Sequence, residues 1–366
     1  MPPLSVRFAC LVATALAATS THAADVRPDA ANNRGVVEIE TASSNGISVR
    51  MIEEIADVVD DGATRRVLAV VGKGSQQNLI DLKLLHGIDM AILQTDLLDQ
   101  AHQQGRDSGV TYIAKLYNEE FHLLARSDIK SVGDLAGQTV NVDLAGGGTA
   151  ASASRLFGLL KVNVITANDD QGVALEKLKK GRIAALAFVA GKPAPLFRDV
   201  KAAGGLHFLA IPLKTEVSAA YVPTRLTAAD YPELVPADKP VDTVAIGAVL
   251  AVANLNPASD RYRNVANFVD AFFTKFETLL EPGHHPKWRE VNIAADLPGW
   301  RRFPAAEQWL KNNAGAAKQM SAQDFKAIFS RFVDERRQLG GGAPLSQQQK
   351  DELFRQFERW QSEQKP

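Results

Sequence analysis

The chain has 366 residues, 46% of them hydrophobic and 23% charged, with a formal net charge of -1. That length and apolar content suffice for two lobes with buried cores, and a balance so near neutrality argues against nucleic acid as a partner. The only cysteine, Cys10, excludes a disulfide framework and a sulfur metal site.

The first residues, "MPPLSVRFACLVATALAATSTHA", carry one early cation, Arg7, an apolar run from Phe8 to Ala18 and a small-residue exit at Thr21-His22-Ala23. This is the pattern of a cleaved secretory signal over residues 1–23, and it implies export to the periplasm. The run is too short for a permanent membrane span, and no later stretch approaches about 18 uninterrupted apolar residues, so the mature chain is expected to be soluble. Cys10 lies inside the run, rather than after it where a lipid-acceptor cysteine would stand.

After a polar stretch from Asp25 to Arg34, "VVEIET" (36–41) alternates as a strand, and Ile47, Met51, Ile55, Val58 and Val59 follow at helical spacing. A strand at "RRVLAVV", a loop at "GKGSQQN", a helix over 79–86 and a buried strand at "IDMAILQ" complete a β-α-β-α-β unit, which implies a parallel sheet with helices on its faces. "VTYIAKLYNEEFHLLARSD" (110–128) is long and polar in the middle, and two strands joined at Tyr117-Asn118-Glu119-Glu120 is one reading of it. Adjacent strand residues face opposite sides, so at most one of Glu119 and Glu120 can face a cleft.

A second β-α-β series then runs through "TVNVDLAGGGTAASASRLFGLLK", "ALEKLKKGRIAALAFVAGKPAPLF" and "GLHFLAIPL". No Pro/Gly/Ser-rich linker precedes it, so two intimate lobes sharing crossing strands are expected rather than beads on a string. "VDTVAIGAVLAVA" (241–253) reads as a strand pair, and "SDRYRNVANFVDAFFTKFETLL" as a helix with Tyr262, Val265, Phe268, Val269, Phe272 and Phe273 on one stripe. Both are expected to pack back on the first lobe. The tail has a glycine hinge at Gly340 to Gly342 and a helix bearing Leu353, Phe354, Phe357 and Trp360, while all four tryptophans lie beyond residue 287.

In open parallel sheets ligands bind beyond the carboxyl ends of the strands. Four loops answer to that place: Thr41 to Asn45, Lys73 to Asn78, Gln94 to Asp96 and Gly146 to Thr149. They offer hydroxyls, amides and bare backbone, with no nucleophile beside an evident base. The glycine turn before a helix is an anion-holding element. Taken as Gly146-x-Gly148-x-x-Ala151, with Asp169 and Asp170 downstream, it also fits a loosened dinucleotide fingerprint. Its late position and its third residue, Ala151, weigh against that reading, as does export away from nicotinamide cofactors. His284-His285 has no third ligand at metal-site spacing and reads as a surface loop; no HExxH, GxSxG or Walker pattern occurs.

The blocks "VEIETASSNGISVRMIEEIADVV", "VVGKGSQQNL", "DMAILQTDLLDQA", "IAKLYNEEFHLLARSDIKSVGDLAGQTVNVDLAGGGTA", "AFVAGKPAPLF" and "DTVAIGAVLAVA" together resemble, in order and spacing over residues 35–280, the TAXI-type solute receptors of TRAP transporters. The resemblance implies a two-lobed α/β periplasmic binding protein, type II-like, each lobe a mostly parallel sheet flanked by helices, with a helical C-terminal extension. Lobe 1 would span 35–125 plus 240–312, lobe 2 126–239, and the extension 313–366. It implies a non-enzymatic, monomeric receptor without cofactor or metal that delivers a small organic anion, a carboxylate or amino acid, to a TRAP-type permease; an ABC importer or sensor system is the alternative, an exported hydrolase or oxidoreductase a more distant one. Ligand contacts are implied at Thr41, Ser43, Ser44, Gly74, Ser75, Gln76, Gln94, Asp96, Tyr117, Gly147, Gly148 and Thr149, with Phe188 and Val189 on the cleft wall. The family's first loop usually carries glycines and threonines and then paired tyrosines; here it reads "TASSNGIS", without that aromatic wall.

Overall fold

The computed structural model describes residues 35–42, 46–62, 64–105, 109–313, 346 and 348–349. The signal segment, Ser43 and Ser44, the glycine hinge and the tail helix lie outside the described residues. Contacts group the chain from Gly35 onward as one unit.

The chain opens with β1 (Val36–Thr41), α1 (Ser48–Val59), β2 (Arg66–Val71), α2 (Ser75–Leu84), β3 (Met90–Gln94) and α3 (Thr95–Gln103). β1 pairs in parallel with β2 and β3, and α1 buries Met51, Ile52, Ile55 and Val59, the helical spacing expected of an amphipathic helix on a sheet. α2 begins at Ser75, four residues earlier than the apolar pattern suggests, because Gly74 ends the loop at φ 111° and the helix opens on polar residues.

β4 (Val110–Arg126) then runs unbroken. It is followed by β5 (Thr139–Asn141), α4 (Gly148–Leu160), β6 (Ile165–Ala167), α5 (Gln171–Lys179), β7 (Ala185–Ala190), β8 (Leu206–Phe208), α6 (Thr215–Ala220) and β9 (Val222–Leu226). β10 (Val241–Ala253), α7 (Asp260–Thr274) and α8 (Pro304–Asn312) complete the described core. The strand order β2-β1-β3-β10-β4-β7-β5-β6, with β8 beside β4 and β9 beside β10, makes a mixed ten-stranded sheet.

β4 and β10 are each single strands, where the sequence suggested breaks. They lie antiparallel along one another, with register shifts near Gly247 and Leu250. At one end β10 joins the β1–β3 half, and at the other β4 joins the β5–β7 half. Each half is therefore a mostly parallel sheet flanked by helices, and the two long antiparallel strands are the connection. α7 packs on α1 and β1, so the chain returns to its first half. Two of the late tryptophans pack there too: Trp288 is fully buried in that core, and Trp309 stands edge-on to Phe273 at 5.3 Å.

The polar middle of β4 is satisfied from far along the chain. The Lys287 ammonium donates to Glu120 at 2.6 Å and to Glu290 at 2.9 Å, while the Lys192 backbone N–H donates to the other Glu120 oxygen at 2.9 Å. Burial alone would lower the Lys287 pKa, and the two carboxylates more than reverse that, holding it above the usual lysine range. The histidine pair is not a surface loop. His285 is buried, its N–H donates to Glu54, and desolvation brings its imidazole down to about 4.

Removing one partner of a buried ion pair leaves an uncompensated charge. Lys287→Met should therefore destabilise the fold by about 3 to 5 kcal/mol in urea unfolding, and adding Glu120→Gln should recover a substantial part of that loss. Equal stabilities for single and double variants would contradict this account of β4.

Candidate functional site

The carboxyl ends of β1, β2 and β3 and the loops of the second half meet around one small cavity. Thr41, Ala42, Ser48, Lys73, Gly74, Ser75, Ile92 and Gln94 line it from the first half; Asp143, Gly148, Thr149, Phe188 and Val189 line it from the second, and Glu119 forms its floor on β4. Of the residues expected at the site, Thr41, Gly74, Ser75, Gln94, Gly148, Thr149, Phe188 and Val189 are brought together here. Gln76 is not: it faces an outer groove between α2 and α3. Ser43 and Ser44 lie outside the described residues, and Tyr117 is buried without lining the cavity.

Two helix N-termini frame the cavity. α2 starts at Ser75 behind Gly74, and α4 starts at Gly148 behind Gly147. Each presents backbone N–H groups without intrahelical partners and the positive end of a helix dipole. The turn into α4 depends on two glycines for different reasons. Gly146 has φ 82°, the left-handed region that disfavours a side chain. Gly147 has an ordinary φ of -77°, but a Cβ there would stand 2.9 Å from the Leu144 carbonyl oxygen and 3.0 Å from that of Lys73 on the opposing half.

Between the helix starts the Gln94 side chain reaches across from the end of β3. Its Nε2 donates to Glu119 at 2.8 Å, and a Cβ at Gly148 would collide with its carboxamide. Its backbone N–H donates to the Ser75 hydroxyl at 3.0 Å, and the Thr149 hydroxyl accepts from Val189 N–H at 3.1 Å, so both hydroxyl protons remain to be donated. On the lining, Thr41 Oγ1 and Gln94 Oε1 are buried without a hydrogen-bond partner. Leaving such groups unpaired costs about 1 to 3 kcal/mol each, which makes a bound polar molecule favourable. The cavity measures only ≈ 30 Å³, room for a water or two and far below the roughly 300 Å³ at which small-molecule pockets begin.

Burial pushes the Glu119 carboxyl up to about 7, with the Gln94 bond opposing the rise and the Glu120 charge adding to it. Lys73 supplies a cation at the rim, and Asp143 an acid in the left-handed region at φ 68°, its Oδ1 accepting from Leu144 N–H. Glu119, Lys73 and Asp143 were not among the expected contacts. Lys73 and Asp143 do adjoin the two glycine turns in sequence, and strand alternation allowed one of Glu119 and Glu120 to face inward. Glu119 does; Glu120 turns to Lys287. Asp96 does not line the cavity. Its Oδ2 accepts the Ser152 hydroxyl at 2.6 Å and lies 3.4 Å from the Tyr221 hydroxyl, so it joins α3 to the opposing half. Among the described residues, no group of three or more His, Cys, Asp or Glu side chains could hold a metal ion.

Fold and cleft thus define a two-lobed α/β protein whose loops converge between its halves. The chain belongs to the NMT1-like family, whose sequence pattern matches residues 39–296. Among solved structures it is similar to the periplasmic binding protein BugD, at 12% identity over 79% of this chain and 95% of the other, with a TM-score of 0.47. The alkanesulfonate-binding protein SsuA from Xanthomonas axonopodis pv. citri bound to MOPS is 16% identical over 80% and 93%, with a TM-score of 0.41. The substrate binding protein of an amino acid ABC transporter is 14% identical over 67% and 97%, also with a TM-score of 0.41. These likenesses are distant, and the fold stands on its own strand order.

A carboxyl whose folded pKa lies near 7, against 4.5 for the free group, contributes stability fully present below about pH 4.5 and lost as pH rises through 7. Glu119→Gln should abolish that loss. In urea unfolding it should gain on the native protein by up to about 3 kcal/mol above pH 7 and by little below pH 4.5, leaving the decline due to Glu38 and Glu40, also near 7. Parallel pH curves for the two proteins would contradict the assignment.

Proposed function

We propose that the protein is an exported solute receptor. Its two lobes, 35–125 with 240–312 and 126–239, close on a small organic anion, a carboxylate or amino acid, and present it to a membrane permease of the TRAP type. The observation that carries this reading is the convergence of two helix N-termini, from opposite halves, on one cavity edged by unpartnered buried polar atoms. Each N-terminus favours negative charge, and together with Lys73 and the Ser75 and Thr149 hydroxyls they form a donor-rich bed. Glu119 and Asp143 add acceptors, which suit a solute that also carries an N–H or ammonium group. The proposed activity is binding without chemistry.

The resemblance of the sequence blocks to TAXI receptors supports the TRAP assignment and a periplasmic monomer. An ABC importer or a sensor would use the same cleft, and the difference would lie in the surface that meets the partner. A nicotinamide site is disfavoured by the late position of the glycine turn in the chain and by Ala151 as its third residue.

Gly147→Val tests this directly, because the added side chain meets the backbone of both halves and keeps them from closing. Small mono- and dicarboxylates and amino acids should be screened by thermal shift. A true solute at about 100 times its dissociation constant should stabilise the native protein by about 2.7 kcal/mol, and folded Gly147→Val should lose that shift. Thr149→Val should weaken binding roughly ten- to a hundredfold. A shift with nicotinamide dinucleotides that Gly147→Val abolishes would overturn the receptor reading.

A further inference from the structure

Outside the cavity lining, one buried carboxylate spans the boundary between the halves. Asp96, in the first turn of α3, is 7% exposed. Its Oδ2 accepts a 2.6 Å hydrogen bond from Ser152 of α4 and lies 3.4 Å from the hydroxyl of Tyr221, which follows α6. Ser152 is 1% exposed and Tyr221 5%, and the Arg155 guanidinium lies 5.5 Å from the Tyr221 ring centre. Beside this group the Gln77 backbone N–H donates to the Gly146 carbonyl, 3.1 Å across the same boundary. None of Asp96, Ser152 and Tyr221 lines the cavity.

Closure takes this carboxylate out of water, with Oδ2 engaged by two hydroxyls of the other half and Oδ1 left without a hydrogen-bond partner. When the halves part, Asp96 gives up those hydroxyls and takes water in their place. When they close without those hydroxyls, it is buried with the helix dipole of α3 and the Arg155 charge as its remaining support. The closing equilibrium therefore depends on Ser152 and Tyr221 independently of whatever the cavity holds.

We propose that Asp96, Ser152 and Tyr221 form a closure clasp, in which Asp96 is a positioning residue that sets the cost of opening rather than a solute contact. The proposal rests on the reading of the halves as lobes that open and close. The clasp determines how much of a solute's binding energy is spent on bringing the lobes together. A tighter clasp raises affinity and slows release without altering which solute is chosen, as expected where the competent state is only partly populated.

The test reads lobe separation with no solute added. In a full chain carrying Cys10→Ser, Leu84→Cys and Val173→Cys place a donor–acceptor dye pair on α2 and α5, at positions 72% and 51% exposed. Ser152→Ala should shift the opening equilibrium toward the open form by about ten- to a hundredfold, the value of a hydrogen bond to a charged group. Tyr221→Phe, the milder change, should shift it a few-fold. Adding Asp96→Ala to Ser152→Ala should move the distribution back toward closed, since no charge is then buried unpaired; simple loss of packing would move it further open. If Ser152→Ala and Tyr221→Phe leave the distance distribution of the parent while Gly147→Val opens it, the clasp is wrong and the receptor reading stands. If no variant changes a single rigid distance, the halves do not hinge and both fall.

Discussion

Among the described residues, β4 and β10 carry every covalent and ladder connection between the halves of the sheet, and the middle of β4 is polar. Asn118, Glu119 and Glu120 interrupt an otherwise apolar strand where a buried polar group costs free energy unless it is partnered. Each is partnered from a distant part of the chain: Gln94 reaches Glu119, Lys287 and the Lys192 backbone reach Glu120, and Glu290 accepts from the Asn118 N–H. Because Lys192 follows β7 and Lys287 belongs to the segment after α7, the Glu120 carboxylate is held from both halves at their crossing point. The rest of the molecule is arranged around this seam, with the apolar cores to either side and the loops converging above it.

The cleft uses the same seam for a second purpose. Glu119, one residue before the structural Glu120, points the other way because strand side chains alternate, and so a floor residue and a structural one come from adjacent positions. Burial raises Glu119 toward neutrality near pH 7, so the helix N-termini and Lys73 dominate the field in the cavity. That division lets a site containing acidic side chains remain hospitable to an anion. On the proposed reading, the small cavity and the close approach of Gly74 to Gly148 place specificity in closure, where a misplaced Cβ meets backbone instead of a yielding side chain.

Much of this was legible in the residues. "VVEIET" is β1 residue for residue, the α7 stripe buries the expected phenylalanines, and the glycine turn before α4 lies where its composition said. The break expected in β4 was absent because the partners of Asn118–Glu120 are 25 to 172 positions away and leave no local trace. The same distance hides the engagement of Asp96 by Ser152, 56 positions on, and the burial of His285 over Glu54, 231 positions away. Nor could composition say which glycine of Gly146 to Gly148 takes the left-handed conformation; Gly146 does, while Gly147 is required for close approach.

Native mass spectrometry of the protein, followed by denaturation and identification of what it releases, tests the central claim most directly. A solute receptor should release one small organic anion per chain, chemically unchanged after prolonged incubation, and should rebind it. A dinucleotide, or a small molecule converted to product on standing, would contradict the account and return the cleft to an enzymatic reading.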